Sequence, residues 1–361
     1  MSVFLYVGQK EIQSQKQTMS SLYKVTEIGG KGLGCVANSD IKKGSLILME
    51  KPQLSFENEE RIVSSMPTIK SLLKSFFEMS KADQLEYMTL HNKYNNIQNF
   101  QNSVDIPNCK EILDRKIEEI EDLKFRIGKF EQNPEKAEEI LKIVGIYFTN
   151  TFGSYVCFKV SRFNHSCQPN AILIDMNGQK QLRAIGKIKA GQEINLNYLG
   201  KFAGFRNQKY RQQNLKLWGF LCSCELCQND VDIDAEAFEA FIQEAEKLTI
   251  KQQSASKAAT LLEATRSYSL ESCKKEIMCY KQLYKVGKDQ NIQPYFLFKM
   301  LDEGFKAATH GYMIYEDNYL KIDAMNFAKA AEKFGKILGY EIVNGGNYKQ
   351  TYQDVIDKAG Y

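Results

Sequence analysis

The sequence predicts an α+β fold, in which a discontinuous β domain is interrupted by a helical insertion and followed by a helical C-terminal region. Short apolar runs alternate with glycine turns over residues 22–56 and again from about Gly145, which is typical of β-strands. Between them, residues 57–142 carry apolar side chains at helical spacing among many charges. Helical spacing returns after Asp230 and continues to the end.

The first β region is built around the glycine-rich segment 29–34, which separates the apolar runs 23–28 and 35–37. The pattern I-K-x-G-x-x-I then occurs twice, at residues 41–47 and 188–194, and each copy predicts a turn that leads into a strand. The two copies lie on opposite sides of the helical insertion. We therefore expect one β domain assembled from both sides.

Residues 171–183 predict a β-hairpin, because Asn177-Gly178 lies between two strand-like segments and Asn-Gly favours the tight turn that joins antiparallel strands. Beyond Asp230 we interpret the chain as a helical bundle, with a helical-repeat array as the alternative. The apolar residues that recur there at helical spacing include Phe238, Phe241, Ala245, Leu248, Phe327, Ala331, Phe334 and Leu338.

Charge and hydropathy exclude several classes of function. The formal net charge of +4 is small, and basic residues are scattered among acidic ones, so nothing in the composition requires nucleic acid. No apolar run approaches the ~20 residues of a membrane-spanning helix. The apolar stretch 3–7 is shorter than a signal-peptide core. We expect a cytoplasmic or nuclear protein with no direct contact to nucleic acid or membrane.

Three of the nine cysteines form a C-x-C-x2-C cluster, Cys222, Cys224 and Cys227. In a reducing compartment this cluster indicates an incomplete tetrahedral zinc site, because a structural zinc ion binds four donors, with sulfur at ~2.3 Å. The best fourth donor is Cys167, and the alternative interpretation is three separate thiols. The other cysteines show no grouping and are interpreted as small core residues: Cys35, Cys109, Cys157, Cys273 and Cys279.

The string N-H-S-C-Q-P-N at residues 164–170 resembles a signature of the SET-domain protein methyltransferases. Three further parts of that signature are present, and all four stand in the right order along the chain. Residues 30–34 with 40–44 resemble the family's N-terminal segment, 191–198 its closing G-x-E segment, and 218–227 its post-SET zinc module. Four ordered matches are far more specific than any one of them.

The long insertion and the helical C-terminal region make the chain most similar to the SET-and-MYND (SMYD-like) subgroup. It departs from that subgroup in one respect. The MYND zinc finger lies in the insertion, where this chain offers only His91 and Cys109 as ligands. Two ligands cannot build a zinc finger, so partner recruitment of the MYND type is not implied.

The resemblance implies a discontinuous SET β-fold with a helical insertion, a post-SET zinc module and a helical C-terminal region. It divides the chain into the N-terminal part of the SET domain (1–57), the insertion (58–142), the C-terminal part of the SET domain (143–200), the post-SET module (201–230) and the C-terminal domain (231–361).

Glycine-rich turns also bind nucleotides, but this one fits neither common motif. The dinucleotide fingerprint G-x-G-x-x-G fails from Gly30, because Cys35 stands in place of the third glycine. The phosphate loop fails because Lys31 is followed by Gly32. The resemblance instead implies that backbone groups of residues 30–33 contact the amino-acid end of S-adenosyl-L-methionine (SAM), where glycines permit close approach.

The resemblance implies a SAM-dependent protein-lysine N-methyltransferase. The acceptor lysine must lose a proton, which costs roughly 4–5 kcal/mol at pH 7 for an amine of pKa ~10.4. An aromatic channel and the positive sulfonium both lower that cost. Tyr198 is the implied catalytic residue, and its hydroxyl orients the amine for attack on the methyl group.

The implied cofactor-binding residues lie in separate segments: Gly30, Lys31, Gly32, Leu33, Asn150, Asn164, His165, Tyr198, Trp218 and Phe220. Trp218 and Phe220 match the aromatic residues that pack against adenine and line the channel. The implied zinc ligands are Cys167, Cys222, Cys224 and Cys227. This single zinc ion is structural and holds the aromatic segment onto the site.

The implied partner is a protein substrate with a target lysine, histone or not, and we expect a monomer. Two other classes of function stay open. A catalytically inactive SET-like protein would act as a zinc-containing scaffold, although the intact Tyr198, Asn164 and His165 argue against it. An enzyme of this family could also methylate an acceptor other than lysine.

Overall fold

The computed structural model of the chain describes residues 22–56, 69–93, 121–122, 124–129, 132–152, 154–176, 178–216, 218–229, 235–255 and 260–338. The strands are β1 (Tyr23–Ile28), β2 (Gly32–Ala37), β3 (Leu46–Glu50), β4 (Leu54–Ser55), β5 (Thr151–Phe152), β6 (Tyr155–Val156), β7 (Ala171–Met176) and β8 (Gln179–Ala184). The helices are α1 (Ile69–Glu78), α2 (Lys81–Tyr87), α3 (Pro134–Asn150), α4 (Gln208–Lys216), α5 (Glu225–Gln228), α6 (Ala235–Ala255), α7 (Leu261–Ser267), α8 (Leu270–Asp289), α9 (Pro294–Tyr315) and α10 (Asn318–Leu338).

The described strands form three small antiparallel sheets. β1 pairs with β2, the second sheet has the order β3-β8-β7, and the third has the order β4-β6-β5. Strands β3 and β4 precede the helical insertion, whereas their partners β8 and β6 follow it. The prediction of one β domain assembled from both sides of the insertion is therefore confirmed.

The two copies of the I-K-x-G-x-x-I pattern lie side by side. Ile41 and Ile188 exchange backbone hydrogen bonds of 2.8 and 3.0 Å. Gly44 and Gly191 turn the chain with φ values of 81° and 77°, in the left-handed region that glycine adopts without strain. The first copy leads into β3, as predicted. The second copy pairs with β2 through Glu193.

Strands β7 and β8 form the predicted hairpin. The register runs from Ala171 opposite Ala184 to Met176 opposite Gln179. Gly178 in the turn has a φ of 74°, which suits a tight hairpin turn. Asn177 lies outside the described residues.

The strand predicted from about Gly145 is wrong, because that residue lies inside helix α3. The helix begins at Pro134, whose fixed φ suits the first helical position. The Asn133 side chain caps it by accepting hydrogen bonds from two backbone N–H groups, at 3.0 and 3.3 Å. The five buried apolar residues have helical spacing, which prevails although four of them are β-branched. These residues are Ile140, Ile143, Val144, Ile146 and Tyr147.

The predicted insertion is described only in part, since residues 57–68 and 94–120 lie outside the described residues. Within the described part, α1, α2 and the start of α3 are helical, as expected. Tyr87, at the end of α2, donates a hydrogen bond of 2.7 Å from its hydroxyl to the carbonyl of Ile143 in α3. Both residues are fully buried, so these helices share one core with α3.

The described residues after Asp230 are largely helical, as predicted, whereas residues 339–361 lie outside the described residues. The long helices pack in chain order: α6 on α8, α8 on α9, and α9 on α10. Their core is rich in aromatic rings. Phe205, just before α4, packs edge to face on Phe238 of α6 with ring centroids 5.1 Å apart. This contact helps to fix the C-terminal helices to the chain that leaves the β domain. Among the described helices, none is long and apolar enough to cross a membrane.

Lys201 joins the end of the β domain to the C-terminal helices through a polar network. Its ammonium donates hydrogen bonds to the Tyr280 hydroxyl at 2.9 Å and to the Glu303 carboxylate at 2.6 Å. The Tyr280 hydroxyl lies 3.3 Å from the carboxylate of Glu276, a residue that is 1% exposed. Burial raises the pKa of Glu276, and the 2.6 Å hydrogen bond that it accepts from Tyr268 opposes the shift. One lysine thus connects the β domain to two helices.

Replacing Lys201 by Met removes the ammonium and keeps most of the aliphatic stem. We expect Lys201→Met to lower the free energy of unfolding by about 1–3 kcal/mol, because two poorly exposed acceptors each lose a charged donor, although Glu303 keeps its hydrogen bond from Lys306. Urea denaturation followed by circular dichroism measures the change. The matched control is Lys281→Met, which breaks an ion pair to Asp323 in which the lysine side chain is 49% exposed. This control should cost below ~1 kcal/mol. Equal losses would show that the Lys201 network does not stabilise the junction.

Candidate active site and metal centre

The glycine-rich turn and the N-H-S-C segment meet at Glu193. Its carboxylate accepts hydrogen bonds from the Asn164 side-chain amide at 3.0 Å and from the Lys31 ammonium at 2.7 Å. Its backbone carbonyl accepts another from the Asn170 amide at 2.8 Å. Glu193 therefore joins its own segment to the glycine-rich turn and to the N-H-S-C segment. The sequence analysis did not name Glu193 as a site residue. Its position as the acidic residue of the G-x-E segment could have identified it.

The glycine-rich turn leaves its backbone open. Gly30 and Gly32 have φ values of 74° and 72°. A hydrogen bond of 2.9 Å from the Lys31 N–H to the Ile28 carbonyl closes the turn. A Cβ atom on either glycine would meet nothing within 4 Å, and Leu33 is 47% exposed. A ligand can therefore approach this backbone closely, as the predicted cofactor-binding role requires.

Two hydrogen bonds hold Tyr198. Its hydroxyl donates to the Phe163 carbonyl at 2.6 Å, and its backbone N–H donates to Nδ1 of His165 at 3.0 Å. Burial raises the pKa of the hydroxyl above its ordinary value of 10.0, and the nearby Glu193 and Cys35 act in the same direction. At neutral pH Tyr198 is therefore a neutral phenol whose proton is directed at a backbone carbonyl.

Both ring nitrogens of His165 have partners inside the protein. Nδ1 accepts the Tyr198 N–H, and Nε2 lies 3.3 Å from the Sγ of Cys167. The residue is 4% exposed, and a parallel bridge pairs it with Leu196. Cofactor binding by His165 would thus have to use its backbone or the face of its ring, because the ring nitrogens are already hydrogen-bonded.

The structure places the predicted aromatic residues beside this group. The Trp218 ring lies 5.4 Å from the Tyr198 ring, and the Phe220 ring lies 6.1 Å from the His165 ring, between centroids. Trp218 and Phe220 are both partly exposed. Asn150 is different, because it is 6% exposed and its amide donates to the carbonyls of two residues, Ile146 at 2.8 Å and His91 at 2.7 Å. The amide of Asn150 therefore stabilises the end of α3.

The structure brings the four predicted sulfur ligands together. The Sγ atoms of Cys167, Cys222, Cys224 and Cys227 all lie within 4.8 Å of one another. Cys167 Sγ is 3.6 Å from Cys227 Sγ and 4.0 Å from Cys222 Sγ. Four sulfurs at ~2.3 Å from a zinc ion form a tetrahedron with edges of roughly 3.8 Å. The spacing and the all-sulfur donor set therefore fit zinc.

Helix α4 supports the sulfur cluster. Gln212 donates to the carbonyl of Cys222 at 2.6 Å and accepts from its N–H at 2.9 Å. Arg211 is 1% exposed, and its Nη2 lies 3.4 Å from the Leu226 carbonyl and 3.9 Å from the Cys227 Sγ. Four thiolates carry more negative charge than one divalent ion neutralises. If zinc is bound by four thiolates, the buried guanidinium would compensate part of the excess.

The remaining cysteines behave as predicted where they are described. Each is at most 2% exposed and lies outside the sulfur cluster: Cys35, Cys157, Cys273 and Cys279. Cys109 lies outside the described residues. The prediction that these four are small core residues is confirmed.

Residues 32–199 match the SET domain family. This region of the chain therefore matches a SET domain and has homology to SET methyltransferases. The chain is 33% identical over 97 residues to the histone-lysine N-methyltransferase SET5 of Saccharomyces cerevisiae (strain YJM789). The aligned region covers 26% of this chain and 18% of that protein. The chain is 30% identical over 106 residues to the histone-lysine N-methyltransferase SET5 of Candida albicans, and this aligned region covers 28% of this chain and 22% of that protein.

A longer match joins the chain to the SET domain-containing protein L678 of Acanthamoeba polyphaga mimivirus. The two are 27% identical over 232 residues, which is 60% of this chain and 79% of the viral protein. By contrast, the chain spans about a fifth of the length of the two fungal relatives, with shares of 18% and 22%. The similarity to those relatives therefore concerns one region of each protein.

Gly34→Ala should disturb the site through packing alone. A Cβ on Gly34 would lie 2.5 Å from Nδ2 of Asn164 and 2.7 Å from a side-chain carbon of Ile28. We expect a loss of about 1–3 kcal/mol in the free energy of unfolding, because these neighbours must shift. Thermal and urea unfolding measure the loss. The control is Gly29→Ala, where a Cβ meets nothing within 4 Å and the expected change stays within about 0.5 kcal/mol. Equal stabilities would contradict the described contact with Asn164.

Proposed function

We propose that this protein is a SAM-dependent protein-lysine N-methyltransferase. One observation carries the proposal: Lys31, Asn164 and Tyr198, which belong to separate SET motifs, converge through hydrogen bonds to Glu193 and His165. The match to the SET domain family supports it, as does the similarity to two fungal proteins described as histone-lysine N-methyltransferases.

Methyl transfer to an amine requires the protein to hold two reactants in line and to favour the neutral amine. When bound, SAM supplies an electrophilic methyl group on a sulfonium. Deprotonating the acceptor lysine costs roughly 4–5 kcal/mol at pH 7. The aromatic rings of Tyr198, Trp218 and Phe220 lie together at the proposed site. Such an apolar surface lowers the cost by disfavouring the ammonium form.

We assign Tyr198 the task of orienting the lysine amine. Its raised pKa keeps the phenol protonated at neutral pH, so it is not a general base, and the proton of the ammonium leaves to water before transfer. The phenol oxygen and the Phe163 carbonyl oxygen lie 2.6 Å apart. Each has a lone pair that can accept an N–H of the amine, and together they would fix the direction of the nitrogen lone pair.

The residues proposed to hold SAM include Lys31 and Asn164, which both donate hydrogen bonds to Glu193. The open backbone of residues 30–33 would bind the amino-acid end, next to Asn164. Trp218 and Phe220 would pack against adenine, since both rings are partly exposed. Asn150 would contact SAM only through its side-chain oxygen, because its amide nitrogen already donates to two carbonyls.

We further propose one structural zinc ion, bound by the four clustered cysteines, which orders the segment that carries Trp218 and Phe220. The proposed substrate is a protein lysine. Core histones are the first substrate to test, because the fungal relatives are histone-lysine N-methyltransferases by name. Membership of the SET-and-MYND subgroup is a further proposal, which rests on the long insertion and the helical C-terminal region. The proposal that the MYND finger is missing rests on the insertion offering only His91 and Cys109 as ligands.

Tyr198→Phe keeps the ring and removes the hydroxyl. We expect kcat to fall by roughly a hundred- to a thousand-fold, or about 3–4 kcal/mol in the barrier, because the amine loses an orienting group. Affinity for SAM should fall much less, whereas Asn164→Ala should weaken SAM binding itself. The measurements are transfer of labelled methyl groups to core histones and to a protein extract, and calorimetric titration of SAM.

The control for this experiment is Tyr210→Phe, on the exposed side of α4 and 36% exposed, which should leave kcat unchanged. Near wild-type turnover of Tyr198→Phe, with the chemical step shown to be rate-limiting, would remove Tyr198 from the catalytic role. Zinc and SAM binding by the wild-type protein without transfer to any protein acceptor would favour the alternative of an inactive scaffold.

Metal analysis of freshly purified, reduced protein should find one zinc atom per chain. Cys224→Ser should lower that count and loosen the neighbouring segment, because a tetrahedral site loses one of four thiolates. Cys279→Ser, at a buried cysteine of the C-terminal helices, should keep one zinc atom per chain. A count of zero in the wild-type protein would contradict the site, and a count of two would require a second cluster.

A further inference from the structure

We propose that His165 is a positioning residue that links the metal centre to Tyr198. The inference rests on the proposed methyl transfer and assigns the imidazole a task different from cofactor binding. Its two hydrogen bonds point in opposite directions, to the backbone N–H of Tyr198 and to the Sγ of Cys167. The side chain therefore bridges the proposed catalytic residue and one proposed zinc ligand.

The hydrogen bond to Tyr198 determines which nitrogen carries the proton. A backbone N–H can only donate, so Nδ1 of His165 must accept and cannot be protonated. The proton of the neutral ring is therefore on Nε2. This nitrogen lies 3.3 Å from the Sγ of Cys167, so the Nε2–H group donates to the sulfur. The tautomer follows from geometry alone.

A metal-bound Cys167 is the right acceptor for this donor. Cysteine binds zinc as the thiolate, and a thiolate accepts hydrogen bonds more strongly than a neutral thiol does. The imidazole has little freedom to leave this arrangement, because the residue is 4% exposed and its ring packs against Tyr198 at 5.3 Å and Phe220 at 6.1 Å between centroids. Binding of the metal ion thus fixes the ring, and the ring fixes the backbone of Tyr198.

Arg211 provides a contrast on the other side of the same sulfur cluster. Its guanidinium lies 3.9 Å from the Cys227 Sγ, and its remaining hydrogen bonds go to the carbonyls of Arg206 and Leu226. Those partners belong to the chain around α4 and α5. Arg211 therefore compensates charge, whereas His165 connects the cluster to Tyr198.

Two substitutions separate the two hydrogen bonds of His165. In His165→Asn the side-chain oxygen takes the place of Nδ1, so the bond to Tyr198 can persist while the bond to Cys167 is lost. In His165→Gln the side-chain nitrogen takes the place of Nε2, so the bond to Cys167 can persist while the bond to Tyr198 is lost. If the bridge positions Tyr198, each variant should lower kcat about tenfold, with the KM for SAM nearly unchanged and one zinc atom per chain.

Two readouts do not depend on methyl transfer. In the cobalt-substituted protein, the sulfur-to-cobalt charge-transfer band should shift in His165→Asn and stay near the wild-type position in His165→Gln. Trp218 is the chain's only tryptophan and packs on Tyr198, so its fluorescence reports the position of that ring. Its emission should change in both variants. These measurements test the bridge even if the wild-type protein transfers no methyl group, an outcome that would instead contradict the proposed function.

The matched control is Ser166→Ala, at the neighbouring buried residue. Its hydroxyl donates to the Gln168 carbonyl and accepts from the Gln168 N–H, both at 3.0 Å. This variant should lose stability while keeping the wild-type kcat, cobalt spectrum and Trp218 emission. Wild-type kcat in either His165 variant, or an unshifted cobalt band in His165→Asn, would overturn the proposal. So would changes in Ser166→Ala as large as those in the His165 variants.

Discussion

The candidate site depends on one crossing of the chain, where residues 164–166 run parallel to residues 195–198. Leu196 exchanges two backbone hydrogen bonds with the other segment, of 2.9 and 2.8 Å. Successive side chains of an extended segment point to opposite sides. Asn164 is therefore directed to Glu193, and His165 is directed to the sulfur cluster. This pair of backbone hydrogen bonds thus distributes the polar groups between the proposed cofactor site and the sulfur cluster.

A buried carboxylate supports the chain that leads into this crossing. Glu50 is 6% exposed and accepts hydrogen bonds from the backbone N–H groups of Lys159, at 3.0 and 3.2 Å, and Val160, at 3.0 Å. Burial raises the pKa of Glu50, and these hydrogen bonds oppose the shift. The turn that these hydrogen bonds stabilise ends at Phe163, whose carbonyl accepts the hydrogen bond from the Tyr198 hydroxyl. The position of the phenol is therefore supported from β3 as well as from the crossing.

Sequence reasoning succeeded where a local pattern determines a local structure. Asn177-Gly178 predicted the hairpin, and the C-x-C-x2-C spacing with Cys167 predicted a group of four cysteines, whose sulfur atoms lie together in the structure. It failed over α3, because a short apolar run with Ile143 and Val144 is ambiguous between strand and helix until its cap is recognised. It also missed Glu193, whose partners are 29 and 162 positions away along the chain. Such long-range pairs follow from the fold and cannot be read from spacing.

The pairing of β3 with β8 has a consequence for how the chain folds. Met49 and Gln181 are register partners although 132 positions separate them. Contacts of such high sequence separation slow folding, because the entropy of closing the loop is lost before the contact is made. The entropic cost grows only by ~0.6 kcal/mol for each doubling of loop length. The insertion between these strands can therefore lengthen or shorten in evolution with little effect on stability. During synthesis, by contrast, the sheet cannot close until the hairpin beyond the insertion has emerged.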